Sequence, residues 1–171
     1  MSWQEVFTIN LLSFIGHLFF SLGLAYMFVK YVCERSKISG SSMNPHFKHH
    51  DVIIIEKLSY RFRKPKRFEV IAIPMNKQIK RAYYVKRIIG MPGESIQIKK
   101  GYVYINDHKL DEYEGVARIK RPGLAQKKIR LNADEYFVLG DNRNASLDSR
   151  DVQVGLVARG DIVGRAWIKM K

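Results

Sequence analysis

The run Val6 to Val29, VFTINLLSFIGHLFFSLGLAYMFV, has 24 residues and no Asp, Glu, Lys or Arg. No other stretch restricts the fold of this chain so strongly. As a helix rising 1.5 Å per residue it reaches roughly 36 Å, enough to cross a ~30 Å hydrocarbon core with some tilt. Thr8, Asn10, Ser13, His17 and Ser21 make it a moderate span, not a strong one. A cleaved leader usually carries basic residues ahead of a shorter apolar run. No Lys or Arg precedes this one. Residues 1–34 are therefore expected to be an uncleaved membrane anchor spanning about 6–29. A buried helix of a soluble domain is the other reading. His17, near mid-span, is read as tolerated by lipid or packed against a partner rather than as a functional site.

Residues 35–171 form the second expected domain. They hold 29 Lys and Arg against 14 Asp and Glu, a net of +15. A domain so basic suits a polyanionic neighbour: phospholipid headgroups, envelope polymers or nucleic acid. Charge by itself does not choose among them. Lys30, Arg35 and Lys37 follow the span and no base precedes it. Positive charge favours the cytoplasmic side, so this rule alone would leave the second domain in the cytoplasm. Cys33 is the only cysteine, which excludes an intramolecular disulfide and leaves the redox compartment open. Cys33 is read as an unmodified buried thiol, with lipidation the alternative.

Beyond residue 35, short runs of Val, Ile, Tyr and Phe alternate with polar and Gly-bearing turns. This predicts strands at 51–57, 68–73, 82–89, 95–99, 102–105, 135–140 and 161–170. No helical period of useful length appears, so the domain is expected to be mainly β, with coiled or barrel-like sheets. RFRKPKR (61–67) reads as a solvated basic loop and residues 114–130 as a second basic connection.

A serine hydroxyl is a weak nucleophile until a base activates it. SGSSMNP (39–45) offers Ser39, Ser41 and Ser42, and reads locally as a turn. His46, His49 and His50 beside Asp51 do not match a recognised zinc spacing and are read as solvent-facing imidazoles. Lysine is the other base, provided burial lowers its pKa. Lys86 lies in the apolar AYYVKRIIG, where strand alternation places it on one face with Tyr84 and Ile88. Composition alone favours an outward-facing lysine there. GDNRNASLDSR (140–150) reads on its own as a surface turn, yet it carries carboxylates and guanidiniums suited to fixed pairing, and Ser146.

In combination these segments resemble the type I signal peptidase family of membrane-anchored Ser-Lys proteases. The family's G-x-S-M-x-P-T box appears as Gly40 to Pro45, with His46 in place of Thr. The K-R-x-x-G-x-P-G-D box appears as Lys86 to Gly93, with Glu94 in place of Asp. The G-D-N-R-x-x-S-x-D-S-R box is complete at 140–150. The tail GRAWIKMK also fits. The resemblance covers nearly the whole chain, with 106–134 least diagnostic.

The resemblance implies a signal-peptidase-like fold of coiled antiparallel sheets behind one transmembrane helix. It implies Ser42 as nucleophile, with Met43 beside it, and Lys86 as general base. Ser146 would orient the Lys86 amine and Tyr84 would line its pocket. Asp141 would pair with Arg87, and Asp148 with Arg150. It implies no cofactor, metal or nucleic acid. The partners would be signal-peptide-bearing preproteins, cut after A-x-A-like sites, and anionic membrane phospholipid. The substrate would bind as an added strand. The catalytic domain would lie on the extracytoplasmic side of a bacterial cytoplasmic membrane. That reverses the charge rule, and accessibility of the cleavage site after translocation favours the resemblance.

Three departures spare the catalytic pair. Gly40 stands where some members have a serine that lends a hydroxyl to the oxyanion, which moves that work to the Ser42 N–H and other main-chain donors. The family's G-D pairs appear as His50-Asp51 and Phe68-Glu69. Such changes would narrow the substrate range or mark a specialised member. A non-catalytic, membrane-anchored assembly factor on the same fold would need the pair to be lost, and both residues are present. A cytoplasmic self-cleaving repressor-type protein is disfavoured by the anchor and by the lack of a DNA-binding helix pair.

Overall fold

The computed structural model describes residues 3–76, 79–112 and 115–170. Met1, Ser2 and Lys171, at the outer ends of the two expected domains, lie outside the described residues, as does Glu114, which opens the second basic connection. Helix α1 (Trp3–Val32) contains the apolar run. Its segment Asn10–Phe28 has a mean hydropathy of 1.7 and none of it is buried in the protein. The polar groups inside it are satisfied along the helix. His17 Nδ1 donates to the Ser13 carbonyl (2.7 Å), and Ser21 Oγ donates to the His17 carbonyl (2.7 Å). A helix whose apolar side chains face outward all round fits lipid better than water.

The chain passes from α1 directly into β1 (Cys33–Lys37), which the sequence pattern did not predict because CERSK is polar. Cys33 on this strand is half-buried. Then come β2 (Val52–Glu56), the short α2 (Ser59–Phe62), β3 (Val70–Asn76), β4 (Ile79–Gly90), β5 (Ser95–Lys99) and β6 (Tyr102–Ile105). The two-residue β7 (His108–Lys109) and β8 (Ile129–Arg130), β9 (Glu135–Leu139), the two-residue β10 (Val157–Ala158) and β11 (Gly164–Met170) complete the chain. The mainly β, antiparallel architecture matches the expectation. Two local readings change: Arg61 and Phe62 of the basic loop close α2, and the second basic connection contains a 3₁₀ turn (Gly123–Gln126) and β8.

Two sheets result, one of order β1-β2-β11-β3-β4-β9-β10 and one of order β7-β6-β5-β8. Period-two alternation splits the large sheet into two cores. Val70, Ala72 and Val85 face one with Ile53, Ile55, Met43 and Phe47, while Ile71, Ile73 and Ile88 face the other with Tyr136 and Val138. The small sheet closes a third core, in which Ile96, Ile98, Val103 and Ile105 meet Ile89, Phe137 and Leu139. Strand β9 is thus shared, Tyr136 and Val138 on one side and Phe137 and Leu139 on the other.

β1 ends the large sheet on one side. β4 pairs with β3 along most of its length, but with β9 only through Arg87, Ile88 and Gly90. Strand β9 therefore does not pair with the stretch Ala82–Lys86.

Candidate active site

Met43 is the peg that sets the serine-bearing turn. Its side chain is 1% exposed, packed with Ile38, Phe47 and Val85, and its carbonyl accepts the Phe47 N–H (2.9 Å). The hydrophobic gain from burying such a side chain holds Ser42, one residue before it, against β4. The turn is pinned again by the late box. The Asn142 N–H donates to the Ser42 carbonyl (3.0 Å), and Asn142 Nδ2 donates to the Ser41 carbonyl (3.3 Å).

Lys86 is buried, at 2% exposure, and not outward-facing as composition favoured. Its Nζ lies 2.8 Å from Ser42 Oγ, within hydrogen-bonding range. The Tyr84 ring centroid is 5.6 Å from Nζ, so strand alternation does put these two on one face. Burial pushes the Lys86 pKa down to about 8. Asp148 and Asp141 oppose that shift and Arg150 adds to it. The carboxylates act only at a distance, because each is already engaged. Asp141 makes a two-pronged pair with Arg87, Oδ1 to Nε (2.7 Å) and Oδ2 to Nη2 (2.6 Å). Asp148 makes another with Arg150, Oδ1 to Nε (2.8 Å) and Oδ2 to Nη2 (2.9 Å), and Oδ2 also accepts the Gly140 N–H (3.0 Å). Pairing buried carboxylates with guanidiniums keeps them from holding Lys86 as an ammonium.

Ser146 differs from its expected part. Its Oγ is buried and has no hydrogen-bond partner among the described residues, so it does not bond the Lys86 amine. It sits against Gly140, where an added Cβ would lie 2.2 Å from Ser146 Oγ and 2.5 Å from the Ser42 carbonyl oxygen. Only glycine lets the late box come this close to the serine-bearing turn.

Gly40 has φ +96°, a left-handed conformation that disfavours side chains although a Cβ would meet nothing within 4 Å. The absence of a serine here thus has a backbone reason. His50 (φ 72°) and Phe68 (φ 67°), which replace glycines of the family pattern, also keep left-handed backbones, at ~1–2 kcal/mol each. Glu94, in place of Asp, still closes its turn by accepting the Met91 N–H (2.8 Å) and pairs with Arg67 (2.5 Å).

Some of the supporting framework is not legible in the sequence. Arg143, 1% exposed, pairs with Glu112 and donates through Nε to the Gly140 carbonyl (3.2 Å). Glu112 lies 31 residues away, in a segment without a motif. The imidazoles of His46, His49 and His50 are exposed as expected, but His49 Nδ1 also accepts the Gly40 N–H (3.0 Å). Among the described residues no three His, Cys, Asp or Glu side chains gather as a metal site.

Ser42 and Lys86 open on a cleft of about 530 Å³. Ser36–Ile38 line one wall, Ala82–Val85 the other, and Met75, Ala145 and Leu147 complete it. The walls include β1, the outer strand of the large sheet, and the part of β4 that β9 does not pair.

The model of the family described as signal peptidase, peptidase S26, matches residues 11–170. The chain is similar to a probable signal peptidase I-2 of Synechocystis sp., 38% identical over 143 residues, covering 81% of this chain and 63% of that protein. It is also similar to signal peptidase I of Leptolyngbya laminosa, 36% identical over 156 residues, covering 87% and 74%. Signal peptidase I U of Bacillus subtilis is 36% identical over 133 residues, covering 74% and 70%. A crystal structure of a signal peptidase I from Enterococcus faecalis is 29% identical, covers 60% of this chain and 97% of that one, and has a TM-score of 0.45. On the match over residues 11–170 and these identities, the chain belongs to the signal peptidase family, peptidase S26.

Proposed function

We propose that this chain is a membrane-anchored serine endopeptidase that removes amino-terminal signal peptides from exported proteins, with Ser42 as nucleophile and Lys86 as general base. The observation that carries this reading is the buried Lys86 amine 2.8 Å from Ser42 Oγ, its pKa lowered to about 8. When the amine is neutral, the Ser42 hydroxyl donates to Nζ along the same line. Lys86 takes that proton as Oγ attacks the scissile carbonyl. The resulting ammonium returns the proton to the leaving amine, and a water activated by the neutral amine then hydrolyses the acyl-enzyme. Negative charge on the carbonyl oxygen falls to the Ser42 N–H, which donates to no group among the described residues.

The outer strand β1 and the part of β4 that β9 does not pair support an extended substrate, bonded to both by its main chain. Small side chains such as the alanines of A-x-A would occupy the space lined by Ala82, Ala145 and Leu147. The α1 span would hold the site at the membrane, with the β domain on the extracytoplasmic face, where a translocated cleavage site emerges.

The test is cleavage of a signal-peptide substrate by wild type, Ser42→Ala and Lys86→Ala. Each variant is expected to lose about 10³-fold or more in kcat/KM. Full activity in either one removes the mechanism.

A further inference from the structure

His49 lies outside the proposed catalytic pair and outside the family boxes, yet it touches the serine-bearing turn. Its Nδ1 accepts the Gly40 N–H at 3.0 Å, two residues before Ser42. On its carboxyl side the turn is fastened by Met43 in the core, and Asn142 holds the Ser41 and Ser42 carbonyls. On its amino side Gly40 contributes no side chain and has φ +96°. Ile38, two residues earlier, is buried in the same core, and His49 is the side chain that bonds the Gly40 main chain itself.

A ring nitrogen accepts a hydrogen bond only through its lone pair, so His49 must be neutral with its proton on Nε2. An imidazolium would set an N–H against the Gly40 N–H, and the tie would become a repulsion. His50 stacks on the His49 ring, with ring centroids 3.7 Å apart. The His50 pKa is lowered first by the charge that His49 carries once protonated and then by Lys37 of β1. Lys48 and Asp51 belong to the same loop, Asp51 turning its Oδ2 to the Lys48 N–H (2.6 Å), and His46 packs edge-on against Phe47. Lys86 of β4 lies beyond Ser42.

We propose that His49 is a positioning residue that holds the Gly40–Ser42 turn in its reactive conformation while its imidazole is neutral, and releases it when protonated. The proposal rests on Ser42 being the nucleophile. It predicts two acid limbs of different origin. Protonation of Lys86 lowers kcat/KM tenfold per pH unit. Protonation of His49 adds a second factor.

The experiment measures kcat/KM of the full chain from about pH 8 to about pH 5, on a peptide substrate without titratable side chains. Wild type, His49→Asn, His49→Ala, His50→Gln and Ser42→Ala are compared. Asparagine Oδ1 takes the place of Nδ1 as an acceptor that does not titrate. His49→Asn is expected to stay within about twofold of wild type near pH 8 and to keep a slope of one at low pH, while wild type steepens towards two. His49→Ala is expected to lose about tenfold near pH 8, the worth of one positioning hydrogen bond. His50→Gln is expected to steepen as wild type does. The proposal is overturned if wild type keeps a slope of one throughout, if His49→Asn steepens equally, or if His49→Ala shows no loss. Should His49→Ala not fold, the comparison of wild type with His49→Asn decides alone. Activity in Ser42→Ala would instead overturn the choice of nucleophile on which the proposal stands.

Discussion

At the scale of single residues, the proposed catalysis and stability pull Lys86 in opposite directions. Below about pH 8 the folded protein holds a buried ammonium, whereas the unfolded chain keeps the same charge hydrated. Between about 8 and the ordinary value of 10.5 the unfolded chain still binds that proton and the folded one does not. Stability must therefore rise with pH across this window, and the cost is present in full below it. A depression of this size corresponds to on the order of 3 kcal/mol. Lys86→Met keeps the volume and removes the charge. It is expected to be inactive, more stable than wild type at neutral pH, and without the rise above pH 8. Denaturant melts at about pH 7 and pH 10 check this, and a less stable variant at pH 7 would contradict it. The wild-type pH–rate profile should show an acid limb centred near 8; a limb near that of free lysine would mean that Lys86 is not the buried base.

At the scale of elements, three chain segments far apart in sequence have to meet. The turn at 39–45, the strand β4 and the loop at 140–150 are joined by the Asn142 bonds to Ser41 and Ser42, by Asp141 with Arg87, and by Asp148 with Arg150. Gly140 is where the loop and the turn approach most closely. Gly140→Ala forces Ser146 or the Ser42 carbonyl to move by about an ångström, and misplacement on that scale costs about 10²-fold in rate. The expected result is a kcat loss of that order, with secondary structure retained by circular dichroism. Near-wild-type kcat would mean that the loop is free to shift. The same meeting explains the limits of the motif reading. The boxes name the residues that pair, but Glu112 supports Arg143 from a segment with no pattern, and β1 forms from the polar CERSK because its partner Val52–Glu56 is there to pair with. That the Ser146 hydroxyl has no partner among the described residues was equally invisible, because whether a serine finds a partner depends on angles that a sequence does not record.

For the whole molecule, charge and hydrophobicity are divided between two parts: an outward-facing apolar helix and a β domain of net +15. We propose that this charge draws the domain to anionic headgroups, over a distance set by salt screening. A chain lacking residues 1–34 is expected to sediment with vesicles containing anionic lipid at low salt and to leave them at about 0.5 M salt, beyond the reach of surface electrostatics. Binding indifferent to salt would count against this. Digestion by protease added outside intact spheroplasts is expected to remove the β domain, and its protection would put the domain in the cytoplasm.

The sequence by itself determined the apolar span and the β-rich character of the rest, and the two residues proposed as the catalytic pair came from the resemblance of its boxes to the signal peptidase family. The first two rest on local signals: an unbroken charge-free run and alternation along strands. The tertiary structure alone decided that Lys86 is buried and not outward-facing, that it meets Ser42 across 44 residues, and that His49 reaches Gly40. Burial and the distance between remote groups arise only when strands pair and cores close, and a lysine's proton affinity depends on the water that this packing removes.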